Sequence, residues 1–251
     1  MSELSLIPVL LLAAFVHGAF GFGFPLVSTP LLALAFPLPT AILMTLLPTV
    51  SINAASILGE QHWRQALRTY WAIPVFCVLG SFIGTHWLLA VDPEPFRALL
   101  ALMLIAYLVT DKLRRHEDAP QPPFWSLPLL GFGLGLLAGV VNIFAPLLVV
   151  FALYTRMRPE LMVATFNLTF LTSKSGQILG FINNGAFDLD VVRTTAVLIP
   201  LVLLSLWLGM RVRKRFRVDQ YKRVLRGFLW LTSVWLIGDW LWGELASRGL
   251  L

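Results

Sequence analysis

Lys174 lies inside a hydrophobic stretch, among Asn167, Thr169, Thr172, Ser173, Ser175 and Gln177. A cation at membrane depth costs about 2.5–3.5 kcal/mol on insertion scales, so it needs a partner or a task. Asn167 and Lys174 are seven residues apart, a spacing that sets both on one face of a helix. No intramembrane Asp or Glu is available to pair with the lysine. An ammonium among hydroxyls and amides suits transient pairing with an anionic ligand, and Lys174, Asn167, Thr169 and Gln177 are the candidate binding residues of this stretch. The alternative is a lysine that snorkels to an interface or bonds backbone carbonyls.

A second polar stripe is formed by Thr45, Thr49, Asn53 and Ser56, spaced four, four and three. It offers the same chemistry without the charge, although small polar residues also hold membrane helices together. A third cluster is His17-Gly18-Ala19-Phe20-Gly21-Phe22-Gly23-Phe24-Pro25, followed by Pro30. Glycine and proline weaken or break helices, and their density predicts an interruption near Gly21 to Pro25. Unpaired backbone costs several kcal/mol per group in lipid and survives only where it is buried in protein or lines a wet cavity. Half-helix N–H ends at such a break attract anions, and Gly21 and Gly23 permit close approach. His17 beside the break serves a ligand, a proton or the packing alone. Gly131, Gly133, Gly135, Gly139, Asn142 and Pro146 mark a second break, where Asn142 either bonds a ligand or caps a half-helix.

Several function classes are excluded at this level. His17, His62, His86 and His116 form no metal-ligand spacing, and no nucleophile motif, phosphate loop or acidic metal cluster is present. An enzyme is the poorer class, and neither cofactor nor metal is expected. The lone Cys77 suits a packing role.

These residues need membrane-spanning elements to position them. The 251 residues are 58% hydrophobic and 13% charged, against roughly 25% charged in soluble domains, and the mean hydropathy is +0.80. The chain reads as an all-α polytopic membrane protein. No Asp, Glu, Lys or Arg occurs between Glu3 and Glu60, a run far longer than the twenty or so residues of one span. Met1-Ser2-Glu3 lacks the basic start of a cleaved signal peptide. A broken segment is predicted over 4–36, spans over 40–58, 69–91 and 95–110, and a polar linker over 111–123. A second broken segment follows over 124–155, then spans over 159–182, 191–210 and 227–242. The stretches 59–69 and 211–226 read as loops. Gly80-x-x-x-Gly84 permits close helix packing.

The halves can be laid over each other. Pro39 to Thr45 matches Pro159 to Thr165, Ile73-Pro74 falls on Ile199-Pro200, and Gly84 falls on Gly209. An internal duplication is the economical reading, with residues 1–112 as the first repeat, 113–123 as a cytoplasmic linker and 124–251 as the second repeat. Each repeat is a broken or re-entrant helical hairpin plus three transmembrane helices. If each broken segment enters and leaves by one side, fifteen of the nineteen Lys and Arg residues face the cytoplasm, as the positive-inside tendency asks. The repeats are then inverted. The formal charge of +6 reflects these loops rather than nucleic-acid binding.

Gly18-Ala19-Phe20-Gly21-Phe22-Gly23-Phe24-Pro25, with Ser28-Thr29-Pro30 and the helix start at Pro39-x-Ala41, resembles the first signature of the sulfite exporter TauE/SafE family. The stretch beginning near Gly131 resembles its second signature, with Val140-Val141-Asn142-Ile143-Phe144 standing where glycines are common. The resemblance covers nearly the whole chain. It implies a multi-pass permease of the bacterial inner membrane, built from a duplicated unit and moving sulfite, sulfoacetate or other organosulfonates by alternating access. The expected partners are a small anion and the lipid bilayer, with a homodimer allowed and no nucleic acid. The alternatives are a channel or permease for another small anion, and a membrane assembly protein that transports nothing. Proton coupling finds no membrane carboxylate to carry it.

Overall fold

The computed structural model describes residues 6–59, 62–92 and 123–213, with scattered positions in 95–105 and 230–238. The predicted span over 95–110, the linker and the last span lie largely or wholly outside the described residues. Every regular element among those residues is a helix: α1 (Leu6–Phe20), α2 (Phe24–Ala33), α3 (Leu38–Gly59), α4 (Trp63–Tyr70) and α5 (Ala72–Ala90), then α6 (Ser126–Val141), α7 (Ala145–Tyr154), α8 (Pro159–Asn183), α9 (Leu189–Val197) and α10 (Ile199–Arg213). α3 and α5 are each long and apolar enough to cross a membrane. The pair α9 and α10 makes a third crossing if taken as one span, while α1, α2 and α6 are apolar but shorter.

The first predicted interruption falls at residues 21–23. Gly21 and Gly23 take φ values of 87° and 108°, a region that an L side chain rarely enters. Gly23 caps α2, and Pro25 stands in its first turn, where a missing N–H costs nothing. The second interruption falls at 142–144. There Asn142 takes the left-handed conformation (φ 61°) as the C-cap of α6. Asparagine is one of the few residues apart from glycine that visits this region.

Two expectations need correction. The stretch 59–69 is not simply a loop, because Trp63–Tyr70 forms the helix α4. Its apolar residues Trp63, Ala66, Leu67 and Tyr70 follow helical spacing, and buried Ala66 packs on Leu161 and Ala164 of α8. The span predicted over 191–210 is not one straight helix: α9 and α10 meet at an angle of 49°. Pro200 has no N–H for an i−4 bond, and its ring crowds the carbonyl one turn back.

Helix pairing follows a crossed pattern. α1 packs against α10 and α5 against α6, α3 packs against α8, and α4 and α9 lie on α8 and α3 respectively. Glycine decides the closest approaches. A Cβ on Gly139 would lie 2.5 Å from the Ser81 carbonyl oxygen and from the Thr85 amide. Gly18 and Gly209 face one another in the same manner across α1 and α10. Without a hydrophobic drive between helices in lipid, such backbone-to-backbone packing is what holds them together. Apolar side chains gather into two main clusters, one mostly from α1, α2, α3 and α10, the other from α5 to α8.

Candidate functional site

Both breaks are held by α8. At the first, the Asn167 amide nitrogen donates to the Gly21 carbonyl and, on its own helix, to the Val163 carbonyl, each at 2.8 Å. Its oxygen lies 3.1 Å from His17 Nε2, and Ser56 Oγ of α3 is 3.2 Å from the same nitrogen. His17 thus ties α1 to α3 and α8 at the point where α1 stops. All three side chains are buried.

At the second break, the Asn142 amide nitrogen donates to Thr29 Oγ1 at 2.8 Å and to Thr45 Oγ1 at 2.9 Å. Its oxygen accepts from Lys174 Nζ. Lys174 also donates to Gln177 Oε1, and the Gln177 amide donates to the Ala138 carbonyl in the last turn of α6. Lys174 is fully buried. Among the described residues both of its partners are neutral amide oxygens, and no carboxylate pairs with it. An ammonium has three N–H donors, so two are engaged and one remains.

Sequence spacing placed Asn167 and Lys174 on one face, and the structure spreads that face over both breaks. Seven residues set the two side chains about 10 Å apart along α8. Lys174, Gln177, Asn142 and Thr45 come together, as do His17, Asn167 and Gly21. Thr49, Asn53 and Thr169 are buried and donate to carbonyls of their own helices, and the hydrogen bonds of Lys174 go to Asn142 and Gln177 instead. Gly23 is buried, yet a Cβ there would meet nothing within 4 Å, so open space borders the first break.

Thr29 was missed, since an isolated threonine beside Pro30 carries no periodic signal. The phenylalanines were missed too. Phe144 of the second break stacks on Phe170 at 4.2 Å, and Phe22 of the first meets Phe166 edge-on at 4.9 Å. Both rings of α8 are buried, one turn apart, and each fastens one break to the helix that supplies its polar partner. In an apolar chain, phenylalanine spacing alone does not separate such clasps from ordinary packing.

Cavities lie at the two ends of α3. One of about 220 Å³ borders Thr40 and Leu43 in the first turns of α3, Phe181 in the last turn of α8 and Asp188 beyond it. The other, about 30 Å³, borders Ser56 and Gly59 in the last turn of α3, together with His17, Gly21 and Val163. What the arrangement offers chemically is a buried cation and two half-helix ends facing shared polar side chains. Such a set is suited to a small anion and holds no nucleophile–base pair.

A family model described as "Sulfite exporter TauE/SafE" matches residues 6–236. No curated protein and no solved structure matches the chain.

Proposed function

The chain belongs to the sulfite exporter TauE/SafE family, a family of membrane transporters, and on that premise we propose that it carries small sulfur-containing anions across the bacterial inner membrane by alternating access. Sulfite, sulfoacetate and other organosulfonates are the substrate class, and transport rather than catalysis is the activity. The observation that carries the reading is Lys174, fully buried, with only the amide oxygens of Asn142 and Gln177 as partners. A lysine kept for structure would be expected beside a carboxylate, because a buried charge without a counter-charge is costly. An oxyanion supplies that counter-charge when it binds. Removing the anion returns the ammonium to its amide partners, so the site has an occupied and an empty state.

The architecture proposed is two inverted repeats, residues 1–112 and 124–251, joined by a cytoplasmic linker at 113–123. The crossed pairing supports it. A two-fold relation that equates α1 with α6, α3 with α8, α4 with α9 and α5 with α10 turns the α1–α10 contact into α5–α6, α3–α10 into α5–α8, α3–α9 into α4–α8 and α1–α3 into α6–α8, all of them observed, and leaves α3–α8 on itself. The breaks at 21–23 and 142–144 correspond under the same relation, as inverted-repeat carriers lead one to expect. Lys174, Asn167, Gln177, Asn142, Thr45, His17, Gly21 and Gly23 form the proposed anion site, with Thr49, Asn53 and Thr169 shaping the helices behind it.

The test is thermal stabilisation of the purified protein by sulfite, thiosulfate, sulfoacetate, taurine, acetate and phosphate, because a ligand that binds the folded state raises its apparent stability. A shift with sulfur oxyanions that disappears in Lys174→Ala supports the proposal. A shift with carboxylates alone removes the sulfur assignment. A shift that survives Lys174→Ala removes the lysine from the site.

A further inference from the structure

Among the described residues, two buried side-chain polar atoms have no hydrogen-bond partner, His17 Nδ1 and Asn53 Oδ1. The Asn167 amide nitrogen is committed to the carbonyls of Gly21 and Val163, so the atom it turns toward His17 is its oxygen. An oxygen there requires a donor, which assigns the ring hydrogen to Nε2, with Ser56 Oγ beside it. Nδ1 is then a bare lone pair on a basic ring. It is a buried atom with the capacity for one proton and no other bond to make. If that proton arrives, the new Nδ1–H needs an acceptor. Asn53 Oδ1 is bare, and it stands one turn before Ser56 on the face of α3 that meets His17.

Space for water lies at the same place. His17 lines the cavity of about 30 Å³ at the C-terminal end of α3, with Ser56, Gly59 and Met210. That volume has room for one or two waters. The charged groups on the surrounding elements do not compensate a charge on the ring. α2 and α3 hold no titratable side chain. On α8, Lys174 lies about 10 Å along the helix from Asn167, and Glu160 is exposed at its start. On α10, Arg211 stacks its guanidinium 3.6 Å from the Trp207 ring centre, and Arg213 follows it. With no carboxylate among these partners, a proton on His17 finds its counter-charge in an arriving anion.

We infer that His17 is the proton-binding residue of an anion-coupled proton movement, with Nδ1 as the atom that takes the proton. One N–H bond forms at Nδ1 when the anion occupies the site, with the proton drawn from water at one end of the molecule. The same bond breaks when the anion leaves, and the proton returns to water at the other end. Nothing is oxidised or reduced. The inference deepens the transporter reading and rests on it. It also gives the two breaks different roles, a lysine cation at the second and a switchable charge at the first.

Thiosulfate, fully ionised near neutral pH, is the suitable probe, because any proton taken up must then go to the protein. The purified full chain in weak buffer with an indicator dye should take up about one proton per thiosulfate bound, and proteoliposomes should move the two in the same ratio. In His17→Gln the ratio should fall to zero, whatever binding or flux is left. A wild-type ratio of zero, or a His17→Gln ratio equal to wild type, overturns the inference. If His17→Gln fails to give a monodisperse protein, 15N-histidine spectra of the wild type decide: a Nδ1 resonance that moves to its protonated position on thiosulfate addition supports the inference, and an unmoved one overturns it. Wild type that carries anions without protons removes only the role of His17, whereas no binding and no flux with any anion removes the transporter reading as well.

Discussion

Replacing Asn142 by alanine should damage the protein more than replacing Lys174 by methionine, although the lysine carries the charge. In Asn142→Ala, the ammonium stays fully buried and loses one of its two oxygen partners, and breaking one partner of a buried charge costs about 3–5 kcal/mol. The alanine must also adopt φ near 61°, a left-handed conformation that adds about 1–2 kcal/mol. In Lys174→Met the Asn142 oxygen keeps the Gln177 amide at 3.3 Å, and only the Gln177 oxygen is orphaned, at about 1–3 kcal/mol. Removing a cation from membrane depth returns about 2.5–3.5 kcal/mol, so the net change is close to zero. The double variant has no ammonium to strand and should recover about 2–4 kcal/mol relative to the sum of the singles, which is the coupling that a double-mutant cycle reads. At roughly 2–4 °C per kcal/mol for a chain of this size, Asn142→Ala lowers the apparent Tm by about 10 °C or more and Lys174→Met by a few degrees at most. The assay is thermal unfolding of the four proteins in one detergent without added anion. A Lys174→Met loss as large as that of Asn142→Ala, or additive effects, refutes the reasoning.

Three further outcomes are expected. Gly139→Leu should abolish the monodisperse peak in size-exclusion chromatography, since even a Cβ there meets the backbone of Ser81 and Thr85, while Gly133→Leu, with nothing within 4 Å, should leave it intact. Phe144→Ala should cost about 3–5 kcal/mol in denaturant or thermal titrations, as large aromatic truncations in a buried contact do, because the ring is 1% exposed and stacked on Phe170. Asp188→Ala should cost about 1 kcal/mol through loss of the cap that receives the Asp190 and Val191 amides, whereas Arg193→Ala, removing an exposed i,i+3 ion pair, should change the apparent Tm by less than the scatter of replicates.

How legible the molecule was in its sequence depended on how local each signal is. The break at Gly21 to Pro25 could be read because the reasons for it, a left-handed residue and a missing N–H, belong to those residues themselves. The close packing of Gly80 and Gly84 could be read as a capacity, but not as a pairing with Gly135 and Gly139, since nothing in a glycine names its partner. The lysine was visible as a charge in an apolar run. Its contact with Asn142, 32 residues earlier, was not, and neither was the diversion of Asn167 to the other break, because both depend on how α6 and α8 cross. The bend at Leu198 had its cause in plain view at Pro200, but the apolar run across it masked the stop. α4 was lost for the opposite reason, since its charged residues outweighed a short apolar period.

The two glycine-lined interfaces look alike in space but lie very differently along the chain. α5 and α6 join Gly84 to Gly139, neighbours in synthesis. α1 and α10 join Gly18 to Gly209, so α1 must wait for α10. At roughly 5–20 residues per second, about 190 residues take of the order of ten to forty seconds to follow. Through that interval the glycine face of α1 has no partner in its own chain. The glycine face of α1 is therefore still open when α5 and α6 have already closed on each other, and a ribosome that stalls before residue 209 leaves that face without its partner.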